Sequence, residues 1–312
     1  MSTKIEWTDE TWNPVTGCTK VSQGCKHCYA ERLWPKVEGA RVKRGGGAVR
    51  PFTDVRVHAD RLNAPQHWRT PRRVFVNSMS DLFHEDVPFS FIAQVWCRMA
   101  NAPEHTFQIL TKRPQQMLEF FSHVDMGCGL MTVKGWDSDI FVGAVDDWPL
   151  RNVWLGVSAE DQATFDERVE QLGQTPAAVR FVSCEPLLGH IDTGNAFDDP
   201  PEGSPYGKIH WVIAGGESGP KARPSHPDWF RSLRDQCQAA GVPFFFKQWG
   251  EWAPETVVAT ENGARDALYI EVAGSTRSAA LGTRGQAVTV QRNGKRAAGR
   301  LLDGREWNEY PR

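Results

Sequence analysis

The 312-residue chain predicts an α/β fold built on a parallel sheet, and three observations carry that expectation. Short apolar runs recur at Arg73 to Asp81, Thr106 to Arg113, Val153 to Glu160, Val179 to Glu185, His210 to Glu217 and Pro243 to Gln248, and read as buried strands. Amphipathic helical patterns fall between several of them, notably Phe89 to Asn101, Pro114 to His123, Asp161 to Gly173 and Pro227 to Ala240. Such alternation demands parallel strands joined by right-handed crossovers. Polar residues, finally, gather where the runs end. Six or seven candidate strands disfavour closure into an eight-stranded barrel and leave an open doubly wound sheet or a partial barrel.

The first run ends in Asn77, Ser78, Ser80 and Asp81, the second in Thr111, Lys112 and Arg113, the third in Ser158 and Glu160. The fourth ends in Ser183 and Glu185, and the fifth in Gly215, Gly216, Glu217 and Ser218. In a parallel α/β fold the carboxyl ends of the strands form the ligand-binding face, so five runs direct polar groups to one mouth. Any single Ser, Asp or Glu there also suits the N-cap of a crossover helix. Five in register favour a site.

Two Gly-, Asp- and Pro-rich insertions, Asp125 to Arg151 and Gly189 to Lys208, read as surface loops. The stretch Arg41 to Arg50 carries four basic residues around a triple glycine; it suits a phosphate-gripping loop or a solvated flexible one. Beyond Gly250 the alternation stops. Val257 to Ala259, Leu268 to Val272, Ala287 to Gln291 and Gly299 to Leu302 suggest short strands and turns, giving a main domain over 1–250 and a small β-rich appendage over 251–312.

Hydrophobic residues make up 40% of the chain, enough for a full core, and a formal charge of -2 excludes a globally basic nucleic-acid binder. The N-terminus lacks the apolar core of a signal peptide and no stretch approaches eighteen apolar residues, which predicts a cytoplasmic protein with no membrane partner. Seven cysteines, odd in number, argue against a disulfide framework. Cys97 fits an apolar helix face, Cys128 and Cys237 lack ligand-like neighbours, and Cys184 ends the fourth run.

The remaining three, Cys18, Cys25 and Cys28, cluster near the N-terminus behind Gly17 and Gly24. Three thiolates leave one coordination position open. A closed structural zinc site needs a fourth ligand, such as His27 or His58, whereas a [4Fe-4S] cluster held by three cysteines keeps one iron free. The spacing C-x6-C-x2-C, with His27 before the last cysteine, resembles the radical S-adenosylmethionine (SAM) superfamily, whose commonest spacing has a shorter first gap. The resemblance is closest to a phage- and prophage-associated radical SAM-like family of uncertain function. It rests on Trp-Asn-Pro-Val-Thr-Gly-Cys (12–18), Asn-Ser-Met-Ser-Asp-Leu-Phe (77–83), Leu-Thr-Lys-Arg-Pro (110–114), Gly-Val-Ser-Ala-Glu (156–160) and Gly-Gly-Glu-Ser-Gly (215–219). The chain is also distantly similar to the spore photoproduct lyase branch.

That resemblance implies a partial (β/α)6 TIM-like barrel with the cluster loop after its first strand. It implies Cys18, Cys25 and Cys28 as cluster ligands and SAM as the second cofactor, cleaved with one electron from an external flavodoxin- or ferredoxin-type donor. SAM ligands would come from Ser78 or Ser80, Lys112 and Ser158, at the lyase's serine, lysine and serine positions. Asn77 neighbours the first, Glu160 would meet ribose hydroxyls, the Gly215-Gly216 pair would let backbone approach adenine, and Glu217 lies beside it. The lyase's hydrogen-donating cysteine on the second strand has no counterpart among Asn77, Ser78, Met79 and Ser80. If strand register turns them to the mouth, Cys184 would return a hydrogen atom and Glu185 would orient substrate. The expected substrate is a nucleobase in DNA or RNA, for example a modified thymine of phage DNA rearranged by an isomerase. A peptide or small metabolite is the competitor, and a zinc-binding nucleic-acid module or non-catalytic scaffold the other class.

Overall fold

A computed structural model describes residues 3, 5–127, 130–134, 140–144, 148–204, 206–254, 267–270, 276–278 and 288–311. Its centre is a sheet of seven strands: β1 (Glu10–Trp12), β2 (Arg73–Val76), β3 (Thr106–Thr111), β4 (Val153–Ser158), β5 (Val179–Cys184), β6 (Trp211–Gly215) and β7 (Phe244–Gln248). All six neighbouring pairs are parallel and follow chain order, so the sheet is wound in one direction and curls into a half-barrel. This is the expected fold class. β1, before the cysteine loop, is too short to stand out as an apolar run.

Thr111, Ser158, Ser183 and Gly215 fall at the carboxyl ends of β3 to β6, and the remaining polar residues, from Asn77 after β2 to Glu217 after β6, lie in the loops above the sheet. Five helices fill the crossovers: α1 (Tyr29–Lys43), α2 (Phe89–Ala100), α3 (Pro114–Ser122), α4 (Gln162–Gln174) and α5 (Pro227–Ala240). Asp161 starts α4 with a capping box, its carboxylate accepting from the Thr164 amide while Thr164 returns a bond to the Asp161 backbone. Between β5 and β6 no helix forms among the described residues, but Ile191, Phe197 and Ile209 plug into the core, so this insertion is more than a surface loop. The other insertion also differs from expectation. Val124–Gly127, Leu130–Val133 and Ile140–Ala144 form an antiparallel meander, with Val133 buried; Cys128 lies outside the described residues.

Strand alternation divides the core in two. Val74, Ile109, Leu155, Val182, Val212 and Phe246 pack against the helices, with Phe91, Trp96, Phe120, Phe165 and Phe230. On the concave face Phe75, Phe181, Trp211, Ile213 and Phe245 meet Trp7, with Leu110, Trp154 and Tyr310 against them. Trp211 is fully buried, lies 5.3–6.3 Å from the rings of Trp7, Trp154, Phe181, Phe245 and Tyr310, and donates its indole N–H to the Glu309 carbonyl at 2.9 Å. The concave face is therefore packed rather than open, as barrel interiors usually are.

Past β7, Trp252–Pro254, Val288–Arg292, Ala267–Ile270 and Thr276–Ser278 form a four-stranded antiparallel sheet, in that order. The strand expected at Val257 to Ala259 lies outside the described residues. The end of the chain then returns to the half-barrel: Asn308 bridges Phe245, the Phe246 amide donates to the Trp307 carbonyl, and Ala298 and Leu302 join the helix-side core. The described part of 251–312 is thus a small sheet plus a tail that closes the edge of β7.

Candidate active site at the strand ends

The loop between β1 and α1 carries the three cysteines and is fastened at its base by the β2 end. Asn77 adopts a left-handed conformation (φ 62°), and its side-chain oxygen accepts from the Val15 amide at 3.2 Å. Ser80 donates to the Val15 carbonyl at 2.9 Å and Ser78 to the Asn13 side chain at 3.2 Å. These three residues were expected to hold a cofactor; the structure instead uses their side chains to shape residues 13–15. The left-handed turn at Asn77 is the physical reason, since it redirects the chain under the loop.

Further along, the loop is latched by buried charge. Arg113, 7% exposed, donates to the Cys18 sulfur at 3.5 Å and to the carbonyl and hydroxyl of Thr19 at 3.1 and 2.8 Å. Its Nε donates to Glu85 at 2.8 Å, and the nitrogen that faces Cys18 also donates to Asp81 at 3.4 Å. Asp81 in turn accepts from the Thr111 hydroxyl at 2.7 Å and the Lys112 amide at 3.0 Å. Glu160, wholly buried, accepts from Ser22 at 2.7 Å and Arg168 at 3.2 Å and lies 3.5 Å from the Lys112 ammonium. Gly24 is required here: a Cβ on it would stand 2.0 Å from a Glu160 oxygen. Glu160 is therefore a loop anchor, not the ribose ligand it was expected to be. Glu217 likewise holds Arg223 through both carboxylate oxygens, and Arg223 reaches on to the Gln23 carbonyl at 2.9 Å. These anchors were visible as polar strand ends, but their partners Arg168 and Arg223 carried no sequence signal.

All three cysteines are half-buried, and all six cysteines among the described residues are free. Burial pushes the Cys18 thiol up to about 11; Asp81 adds to the shift and Arg113 opposes it. Cys28 occupies the N-cap position of α1, directly before Tyr29, whose hydroxyl donates to the Ser78 carbonyl while the residue stays 44% exposed. A cleft of about 320 Å³ beside Cys28 is bounded by His27, Glu31, Arg32 and the Ser218–Lys221 turn. Arg32 crosses it to the Ser218 carbonyl at 3.0 Å.

The concave side of the mouth is lined by residues two or four positions beyond those of the floor. Lys112 follows Leu110, Ser158 follows Trp154 by two such steps, Ser183 follows Phe181, Gly215 follows Ile213 and Lys247 follows Phe245. Lys247 binds Glu185 at 2.9 Å, and a Cβ on Gly215 would lie 3.3 Å from the same carboxylate. Gln248 adds a long contact to Glu185 at 3.4 Å and a bond to the Ser218 hydroxyl at 2.9 Å, and its oxygen is buried without a partner. The Tyr29 phenol lies within electrostatic reach of Glu185 and Cys28, so this pair and the cysteine loop face one another. Lys247 and Gln248 were missed in the sequence, although they end the last apolar run as the other polar residues end theirs.

Two further expectations are corrected. Cys184, one residue beyond Ser183, falls on the opposite face by strand alternation; it is wholly buried in the helix-side core, and burial raises its thiol pKa. Gly216 is required by the chain itself, since a Cβ there would stand 1.9 Å from the Trp249 carbonyl. In the Arg41–Arg50 loop, Arg41 and Arg50 both bind the buried Glu38, so half of its basic residues are internally neutralised.

Three thiols on one short loop, with a guanidinium donating to one sulfur, are chemically suited to an iron-sulfur cluster with an open iron. Of zinc's possible fourth ligands, His58 is 2.8 Å from the Thr16 hydroxyl and His27 borders the cleft. Among the described residues no group of three or more His, Cys, Asp and Glu side chains is gathered to hold a metal ion. None of the described helices is long and apolar enough to cross a membrane. No curated protein and no solved structure was found to match the chain. A family model covering residues 2–311 does match, and the chain belongs to that family, described as a protein of unknown function (DUF5131).

Proposed function

We propose that the protein is a radical SAM enzyme acting on a nucleobase in DNA or RNA. One observation carries this reading: a three-cysteine loop is latched over the carboxyl-end mouth of a parallel half-barrel, with lysine and serine side chains on the concave wall beneath it. Cys18, Cys25 and Cys28 would hold a [4Fe-4S] cluster, which when bound supplies an open iron for SAM and a one-electron reductant. An external flavodoxin- or ferredoxin-type donor would reduce it. A reducing cytoplasm suits both free thiols and such a donor.

The chain's own residues divide the remaining work. Lys112, held 3.5 Å from Glu160, has ammonium protons to spare for a carboxylate, a charge-assisted bond that fixes orientation. Ser158 offers a hydroxyl beside it. Across the mouth, Glu185 and Lys247 bind one another through a single contact at 2.9 Å; the second carboxylate oxygen carries only the long Gln248 contact at 3.4 Å, and two ammonium protons remain to orient a substrate carbonyl or hydroxyl. The exposed face of Tyr29 at the rim provides a stacking surface for a base. The aromatic floor excludes water from below. With Cys184 turned away, the structure offers no cysteine in the mouth beyond the three on the loop, among the described residues, and hydrogen return falls to SAM or solvent-exchangeable groups.

Anaerobic reconstitution of the full chain with iron and sulfide tests the reading. Brown protein with iron and sulfide near four each per chain is expected for one [4Fe-4S] cluster. A colourless protein that takes zinc and no iron would overturn it. For the substrate, mass spectrometry of nucleosides from host and phage DNA and RNA, with and without the gene, is expected to reveal one altered base.

A further inference from the structure

We propose that Arg113 sets the reduction potential of the cluster, with Glu85 as its counterweight; this rests on the cluster reading above. Lys112 and Arg113 are adjacent at the end of β3, yet they serve different partners. Lys112 turns to Glu160, while Arg113 turns to the cysteine loop and donates to the Cys18 sulfur at 3.5 Å. Four contacts besides that one fix the guanidinium, two to Thr19 and one each to Glu85 and Asp81, and the Arg113 backbone amide donates to the Thr111 hydroxyl at 2.9 Å. Held this firmly, it cannot swing away when the charge on the sulfur changes.

A donor and a positive charge beside a ligating sulfur withdraw electron density and favour the reduced cluster, which raises its potential. Glu85 works in the other direction. Its carboxylate is 54% exposed but lies 2.8 Å from the Arg113 Nε, where it offsets part of that charge. Asp81, 8% exposed at its side chain, fixes the fork from the buried side and anchors the backbone of Lys112, so it is the structural member of the set. Arg113 is thus a positioning and tuning residue for Cys18, and Glu85 is the surface handle on it.

The two roles predict shifts of opposite sign, which a merely structural contribution would not produce. Full-length wild type, R113M, R113K and E85Q would be reconstituted anaerobically and their potentials measured by EPR-monitored reductive titration, with iron content and circular dichroism recorded for each. R113M is expected to lower the potential enough to raise the oxidised-to-reduced ratio about tenfold at fixed poise, or about 59 mV for one electron. R113K, which keeps the charge but loses the fork, should fall between R113M and wild type. E85Q should raise the potential. Clusters of unchanged potential, or shifts of the same sign in R113M and E85Q, would overturn the proposal while leaving the radical SAM reading standing. If R113M retains no cluster, E85Q decides alone: an upward shift supports the proposal and no shift overturns it. Wild type that takes no iron removes the reading beneath it and the proposal together.

Discussion

The two halves of the concave face differ in kind. Its floor is aromatic and sealed: Trp7, Phe75, Phe181, Trp211 and Phe245 interlock there, with Tyr310 of the returning tail against them. Its mouth, one strand step higher, is lined by Lys112, Ser158, Ser183, Glu185 and Lys247 beneath a loop held by buried ion pairs. Strands β3 to β7 supply both, so the difference there is one of height along the strand and not of element. It shows how a half-barrel without a closing strand keeps stability and chemistry apart: packing carries the lower half, and the upper half holds the polar groups.

Substitutions on either side of that boundary should behave differently. In the floor, Trp211→Ala removes a fully buried ring with five aromatic neighbours and should cost about 3–5 kcal/mol by urea unfolding, with iron content per folded chain unchanged. A loss under ~1 kcal/mol would mean that the floor is not the packed half. At the boundary, Glu160→Ala leaves the buried Arg168 without its carboxylate and frees Ser22 and the cysteine loop. A cost of about 3 kcal/mol is expected, together with faster loss of iron from the reconstituted protein. Stability lost without any change in iron retention would separate Glu160 from the loop.

In the mouth, Lys247→Met should shift stability by no more than ~1 kcal/mol, since the pair it breaks is partly exposed at 14% and 19%. Turnover should nonetheless fall roughly 100-fold through lost orientation, read as SAM cleavage uncoupled from product. Coupled, full-rate turnover would remove Lys247 from the site. A pH-dependent effect lies outside both halves. Arg41 and Arg50 hold the Glu38 carboxyl down at about 2 from an ordinary value of 4.5. Its contribution is therefore fully present above pH 4.5 and lost as pH falls toward 2, because the unfolded chain then binds a proton that the folded one does not. Glu38→Gln should flatten the stability curve in that window and lower it at neutral pH, where the contribution is fully present, measured by thermal melts across pH.

Much of this was legible in the sequence. Six apolar runs marked six of seven strands, and Pro227 and Phe89 marked helix starts within a residue. Polar strand ends marked the mouth because a parallel sheet leaves them nowhere else to lie. What failed was side-chain direction. Period-two alternation turns Cys184 into the helix-side core one residue from Ser183, and a run with fraying ends does not reveal its register. The left-handed turn at Asn77 was equally hidden, so Ser78 and Ser80 were given to a ligand when they hold the loop. Partners far apart in sequence, such as Ser22 with Glu160 or Arg223 with Gln23, had no local pattern to announce them. The tail from Ala298 to Tyr310 looked like an appendage because its few aromatics gave no period.

The central claim is that the cysteine loop makes the mouth a SAM-cleaving site. The direct measurement is 5′-deoxyadenosine formed when the anaerobically reconstituted full chain is reduced in the presence of SAM, compared with Cys18→Ala, Cys25→Ala and Cys28→Ala. The account predicts 5′-deoxyadenosine from wild type and none from any of the three variants. Iron-loaded wild type that leaves SAM intact, or a cysteine variant that cleaves it at the wild-type rate, would contradict the claim.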